Sequence, residues 1–214
     1  MIVSAGRGPP RLHVQTKDAV KEKYGTPQIE GRSLTEDEAI GMCFLVFIAG
    51  LDTVTSSLGF QFLHLARNPE QQAQLRANPE LIPQAVEELL RFYSIVNPIR
   101  TATKDVQIGE AQIRKGERIL LSLELANYDS TAFENPASVD FSREGGRRHL
   151  SFSAGPHHCI GAHLARRELT IAIQEWLAHV PPFEASDMDK IEMRASGVFG
   201  LENLHFKWTR AAEA

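Results

Sequence analysis

The sequence predicts a mainly α-helical chain of α+β type, and three stretches carry that prediction. The first is the stretch from Glu36 to Arg67, apolar at Met42–Ala49 and amphipathic beyond, enough for a helix of roughly 32 residues, about 48 Å at 1.5 Å per residue. The second is a change of texture after Arg100, where short β-branched segments alternate with turn residues. The third is a loop shaped by glycine and proline, from Phe152 to Gly161, running straight into an amphipathic stretch that Pro181-Pro182 ends.

Residues 1–27 are polar and basic, contain Pro9-Pro10 and show little periodicity, so they read as a loosely structured segment ahead of the domain portion 28–214. Thr35 is a helix cap and Glu38, three residues on, completes a capping box. Met42–Ala49 is apolar nearly all round, which predicts burial in the middle of a domain. Asn68-Pro69 and Asn78-Pro79 each read as an N-cap followed by proline at the first helical position. They start one helix to about Arg76 and another through Phe92. Strands are expected at Arg100–Thr103, Val106–Ile108, Ala111–Ile113 and Arg118–Leu123. Residues 129–150, rich in Asp, Ser, Asn, Pro and Gly, read as irregular, Gly161–His179 as helix, and the tail from Phe183 to Trp208 as short strands.

Composition excludes some functions without choosing one. A length of 214 residues at 43% hydrophobic suffices for a real core in one domain or one and a half. A net charge of −4 gives no basic surface for nucleic acid. Cys43 and Cys159, far apart in sequence, build no disulfide framework and suit a reducing cytoplasm, with Cys43 expected in the core. The first ten residues hold no apolar run long enough for a signal peptide or membrane span. The expectation is a soluble, cytoplasmic protein.

Cys159 is the residue that carries chemistry. It stands between the loop and the following helix, where unpaired N–H groups and the helix dipole favour thiolate over thiol. That makes it a candidate nucleophile or metal ligand. Two other readings stand beside these: a buried apolar cysteine, and a metal site drawn from His149, His157, His158, Cys159 and His163. The adjacent pair His157-His158 would diverge, which weighs against the latter.

The run Phe152-Ser-Ala-Gly-Pro-His-His-Cys159-Ile-Gly161 resembles the haem-binding loop of cytochrome P450 monooxygenases, Phe-x-x-Gly-x-x-x-Cys-x-Gly. Ala49-Gly50-Leu-Asp52-Thr53 resembles the oxygen-activating segment of the family's central helix, and Glu88-Leu-Leu-Arg91 its Glu-x-x-Arg pair. The three occur in family order. The resemblance runs from near Ile29 onward and corresponds to the C-terminal, haem-binding portion of longer family members. It sits nearest the soluble bacterial camphor-hydroxylase type, through Leu34-Thr-Glu-Asp-Glu-Ala39 and Val139-Asp-Phe-Ser-Arg143.

The resemblance implies haem b with Cys159 as axial thiolate, pushing electron density toward oxygen. It assigns Asp52 and Thr53 to proton delivery during oxygen activation, with Thr53 also bonding back to a carbonyl one turn earlier. Ala49 and Gly50 would leave room beside the iron. Arg100 and His157 would reach the propionates, Phe152 would shield the thiolate, and Gly161 would permit close approach. Glu88, Arg91 and Arg143 would form a structural triad, while Glu87 faces solvent. Leu45, Ile48, Val96, Val198 and Phe199 would line a pocket for a small hydrophobic, terpenoid-like substrate. A small helix is implied near Leu125–Tyr128. Electrons would come from NAD(P)H through a reductase and a ferredoxin docking at basic residues such as Arg114, Arg147 and Arg148. Two readings compete with this one: a truncated, inactive relative with weak or no haem binding, and a zinc-binding module.

Overall fold

The computed structural model describes residues 28–145, 148–195 and 197–209. The chain divides after Phe47 into a small N-terminal unit and a larger one. In the first, β1 (Gln28–Ile29) pairs antiparallel with β2 (Arg32–Ser33) across Glu30 and Gly31, both in the left-handed region. The capping box follows as the sequence predicts: Glu38 N–H donates to Thr35 Oγ1 at 3.2 Å and Thr35 N–H to Glu38 Oε2 at 2.9 Å. The Arg32 guanidinium, then the Thr35 N–H, hold the Glu38 carboxyl down at about 2.

α1 spans Glu36–Arg67 without a break, with Glu36, Asp37 and Glu38 at the positive end of its dipole. α2 (Pro69–Ala77), a 3₁₀ turn (Pro79–Leu81) and α3 (Ile82–Phe92) follow. Pro69 starts α2 as expected, whereas Pro79 starts the 3₁₀ turn and α3 begins only at Ile82; neither asparagine before them caps with its side chain. Asn68 Nδ2 donates instead to His64 O at 2.7 Å, and Asn78 Nδ2 to Gln74 O at 3.1 Å. Each closes the helix behind it, whose last carbonyls lack partners, and proline has already removed one N–H from the helix ahead.

Among the described residues the strands form five two-stranded antiparallel ladders. β3 (Ile99–Thr101) pairs with β6 (Arg118–Leu120), enclosing the hairpin of β4 (Val106–Ile108) and β5 (Ala111–Ile113). The strand expected to reach Leu123 stops at Leu120 because Ser122 caps a short helix, accepting from Leu125 N–H at 3.3 Å. That helix, α4 (Leu123–Asn127), begins two residues ahead of the small helix implied near Leu125. α5 runs Ala162–His179. β7 (Phe183–Ser186) pairs with β10 (His205–Trp208), and β8 (Glu192–Arg194) with β9 (Gly200–Glu202).

The core lies where α1's last turns, α2, α3 and α5 meet. Leu65 and Ala66 pack with Leu75, with Ile82, Val86 and Leu89 one turn apart on α3, and with Leu169, Ile173 and Leu177 on α5. Each such aliphatic burial contributes about 1.5–3 kcal/mol. Phe62, Trp176, Phe183 and Phe206 close one end, the Phe62 and Trp176 rings 5.1 Å apart.

The apolar stretch of α1 departs from expectation. Phe44 is 63% exposed and Leu45 67%, and Val46, Phe47, Ile48 and Leu51 are exposed as well. Cys43, expected in the core, is exposed too. All-round hydrophobicity states a demand for burial; it does not supply the covering surface. By length and composition alone α1 is long and apolar enough to cross a membrane. Its C-terminal turns, however, are core residues of the larger unit.

Candidate functional site

α3 carries three charged residues in its last turns, and two of them do what the sequence predicts. Arg91 binds Glu88 with Nε and Nη2, each at 2.8 Å, a fork-to-fork geometry that three-residue helical spacing permits. Arg143 adds its Nε at 3.0 Å from both Glu88 oxygens. The other Arg91 donors reach the carbonyls of Asn127, Pro136 and Ser138 at 2.9–3.0 Å. Both Glu88 and Arg91 are fully buried. The triad therefore fastens the irregular segment after α4 to α3.

Glu87, expected in solvent, is buried. Its Oε1 accepts from Arg166 Nε at 2.6 Å and its Oε2 from His149 Nε2 at 3.1 Å. Burial alone would raise its pKa; the His149 and Arg166 hydrogen bonds outweigh that and lower it. Neighbouring helical positions point about 100° apart, and here α5 and the cysteine loop cover the second direction as well. The signal for this lay in Arg166, one turn into the helix after Cys159, which sequence reasoning left without a role.

The cysteine loop is held at several points. Asn127 accepts Leu150 N–H at 2.7 Å and donates to Ser151 Oγ at 2.9 Å, and that hydroxyl donates to Leu90 O at 2.7 Å. Cys159 N–H donates to Phe152 O at 2.9 Å, closing the loop on itself. Gly155 takes a φ of +64°, and a Cβ built there would meet nothing within 4 Å. Gly161 caps α5, and a Cβ on it would stand 3.8 Å from Cys159 Sγ. Cys159 is exposed, so the reading of a buried apolar cysteine does not hold. His157 is exposed in the turn beside it.

Along α1, Thr53 Oγ1 donates to Ala49 O at 2.8 Å, the back-bond expected of a mid-helix threonine. Ala49 and Gly50 are exposed, and the helix stays continuous through them. Asp52 pairs with Arg194 of β8, a partner the sequence did not suggest. Arg100, half-buried on β3, donates to Ile99 O. Val96 and Val198 meet in an isolated antiparallel bridge, with Phe199 N–H donating to Ile95 O at 2.8 Å. Leu45 and Ile48 lie exposed on α1. Arg147 lies outside the described residues.

A cytochrome P450 family profile matches residues 15–209. This chain belongs to the cytochrome P450 family. It is 44% identical over 181 residues to the probable cytochrome P450 127A1 of Sinorhizobium fredii, covering 85% of this chain and 44% of that one. It is 38% identical over 199 residues to the biotin biosynthesis cytochrome P450 of Bacillus subtilis, covering 88% and 49%. Among solved structures, cytochrome P450 CYP101C1 superposes with a TM-score of 0.81 at 39% identity, over 86% of this chain and 47% of that one. The chain thus spans about half the length of the curated relatives it matches.

Cytochrome P450 proteins bind haem b, and the donors at this loop suit it. Among the described residues no three of His, Cys, Asp and Glu gather as a metal-ligating group, which leaves the multi-ligand histidine site without a basis. One exposed thiol, with glycines on either side of it in the loop, would hold such a group through a single soft sulfur donor.

Proposed function

We propose that this chain is the C-terminal, haem-binding portion of a monooxygenase that hydroxylates a small hydrophobic substrate. The observation that carries the reading is the exposed Cys159 thiol at the end of a pinned, glycine-flanked loop. Bound there, haem supplies reductive activation of O₂ for insertion of one oxygen atom into a C–H bond. Cys159 holds the group as thiolate, Arg100 and His157 bind its propionates, and Phe152 excludes water from the sulfur side. Gly161, Ala49 and Gly50 permit close approach.

Thr53 commits its own proton to Ala49 O and keeps oxygen lone pairs free to accept from water. Asp52 holds or releases a proton beside it. Glu88, Arg91 and Arg143 keep the loop's supporting segment in place and take no part in chemistry. The apolar character of Ile48, Val96, Val198 and Phe199 favours a hydrophobic, terpenoid-like substrate. Electrons come from NAD(P)H through a reductase and a ferredoxin-type partner, for which Arg114 and Arg148 offer exposed positive charge. The protein works in the cytoplasm.

The exposed apolar stretch of α1 favours a second reading, a relative that binds haem weakly and does not turn over. One experiment separates the two. The chain is expressed with haem supplied and the spectrum of its reduced carbon monoxide complex is recorded. A strongly red-shifted Soret band supports thiolate ligation by Cys159 and the monooxygenase reading. Absence of haem, or a band of histidine- or thiol-ligated iron, favours the inactive relative.

A further inference from the structure

The segment that carries Cys159 is bounded by His149 on one side and Arg166 on the other. Both are bound to one carboxylate, that of Glu87 on α3, each taking a separate oxygen. Ser151 N–H donates to His149 Nδ1 at 3.2 Å, so Nδ1 is the acceptor nitrogen and Nε2–H points at Glu87. Arg166 spends its Nε on Glu87 and lays its guanidinium over the Phe152 ring, 4.5 Å from the ring centre. The His149 ring stands 5.8 Å from the same ring. Phe152 in turn holds the Cys159 N–H through its carbonyl.

We propose that Glu87 is a positioning residue for the cysteine ligand, acting through His149 and Arg166 to fix Phe152 and hence the Cys159 peptide. The proposal rests on the haem-binding reading above and adds three residues to it. The physical case is one of constraint. A loop with several glycine and proline bends has many conformers, and tying its two ends to one buried charge removes most of them. The carboxylate has an oxygen for each donor; an amide does not. Glu87→Gln turns an NH₂ toward either His149 Nε2–H or Arg166 Nε–H, so one of the two ties is lost with little change in shape.

The test uses the full chain with Cys43→Ser, which leaves Cys159 as the single thiol, and compares Glu87→Gln and Arg166→Lys with that parent. Lysine keeps the charge but has no planar group to cover Phe152. Two readouts are taken: the rate at which iodoacetamide alkylates Cys159 in the haem-free chain, and the rate at which the reduced carbon monoxide complex converts from the thiolate to the neutral-thiol spectrum. Both variants are expected to keep the parent's far-ultraviolet circular dichroism and to show several-fold faster alkylation and conversion. Unchanged rates in a folded Glu87→Gln overturn the proposal. If that variant does not fold, unchanged alkylation in Arg166→Lys overturns it. A parent that never shows the thiolate spectrum defeats the functional reading alone, because the alkylation arm still decides whether Glu87 controls Cys159.

Discussion

Arg194 places one guanidinium nitrogen 3.3 Å from both carboxylate oxygens of Asp52, joining β8 to the middle of α1 across 142 residues of sequence. Gly200, on the strand paired with β8, bears on this contact. A Cβ there would come within 3.2 Å of Arg194 Nη2 and 3.3 Å of Ser56 Oγ. The absence of a side chain at that position is what lets the guanidinium lie toward α1.

Because both partners are half exposed, the pair contributes to orientation more than to stability. Arg194→Gln is expected to change unfolding free energy by less than about 1 kcal/mol. The Asp52 carboxyl carbon signal in NMR, by contrast, should move. Gly200→Ala should reproduce that movement, since a flexible guanidinium yields before backbone does. A stability loss above about 2 kcal/mol on removing Arg194 would show instead that the pair belongs to the core.

The Glu88 triad behaves oppositely, because its charges are buried. Glu88→Ala strands Arg91 without its counter-charge in a fully buried site and should cost about 3–5 kcal/mol, read from urea unfolding. Arg143→Ala should cost less, as Arg143 lies at the edge of the site and Arg91 still neutralises Glu88. Equal, small losses in both variants would mean that the three side chains do not act as one buried group.

The contrast between Glu88 and Glu87 shows what the sequence carries. Glu88 and Arg91 were legible because a three-residue helical spacing and a family motif both describe them, whereas Arg143, 55 residues from Glu88, was legible through the family motif alone. Glu87 was not: its partners, His149 and Arg166, are 62 and 79 residues away, and no local pattern encodes that meeting. The capping box of Thr35 and Glu38, the two strands on either side of Gly109 and the bounds of α1 are local, and were readable. Ser122 was missed as a cap because Arg118–Leu123 has strand-like composition right up to it. Hydrophobicity at Phe44 and Leu45 predicted burial, which depends on a second surface that the pattern itself does not contain.

A pH dependence follows from His64. Tyr93 Oη lies 2.9 Å from its Nδ1 and Gln71 Oε1 2.5 Å from its Nε2, an arrangement that suits the neutral ring with the proton on Nε2. Burial lowers the His64 pKa below 6.5, outweighing Gln71, Glu70 and Glu88, which raise it. As pH falls, the unfolded chain therefore takes up this proton first. Stability from His64 is full above about pH 6.5 and is lost as pH falls from there toward the folded-state pKa, at no more than about 1.4 kcal/mol per pH unit. Urea unfolding from pH 7.5 to 5.5 should show this decline in the parent, and a shallower one in His64→Gln. Identical slopes in the two proteins would assign the decline to another group.

The apolar face of α1 predicts how the chain behaves in solution. Phe44, Leu45, Val46 and Phe47 are all exposed, and large exposed apolar surface marks a site of association. The chain should bind an apolar fluorescent dye strongly and grow in apparent mass with concentration, as read by sedimentation. Phe44→Lys combined with Phe47→Glu puts charge on that face without touching the core around Leu65 and Leu89. The double variant should keep its circular dichroism, lose most of the dye fluorescence and sediment independently of concentration. If association persists unchanged in the double variant, the contact lies elsewhere, and the exposed leucines of β6 and α4, Leu120 and Leu125, are the next place to put a charge.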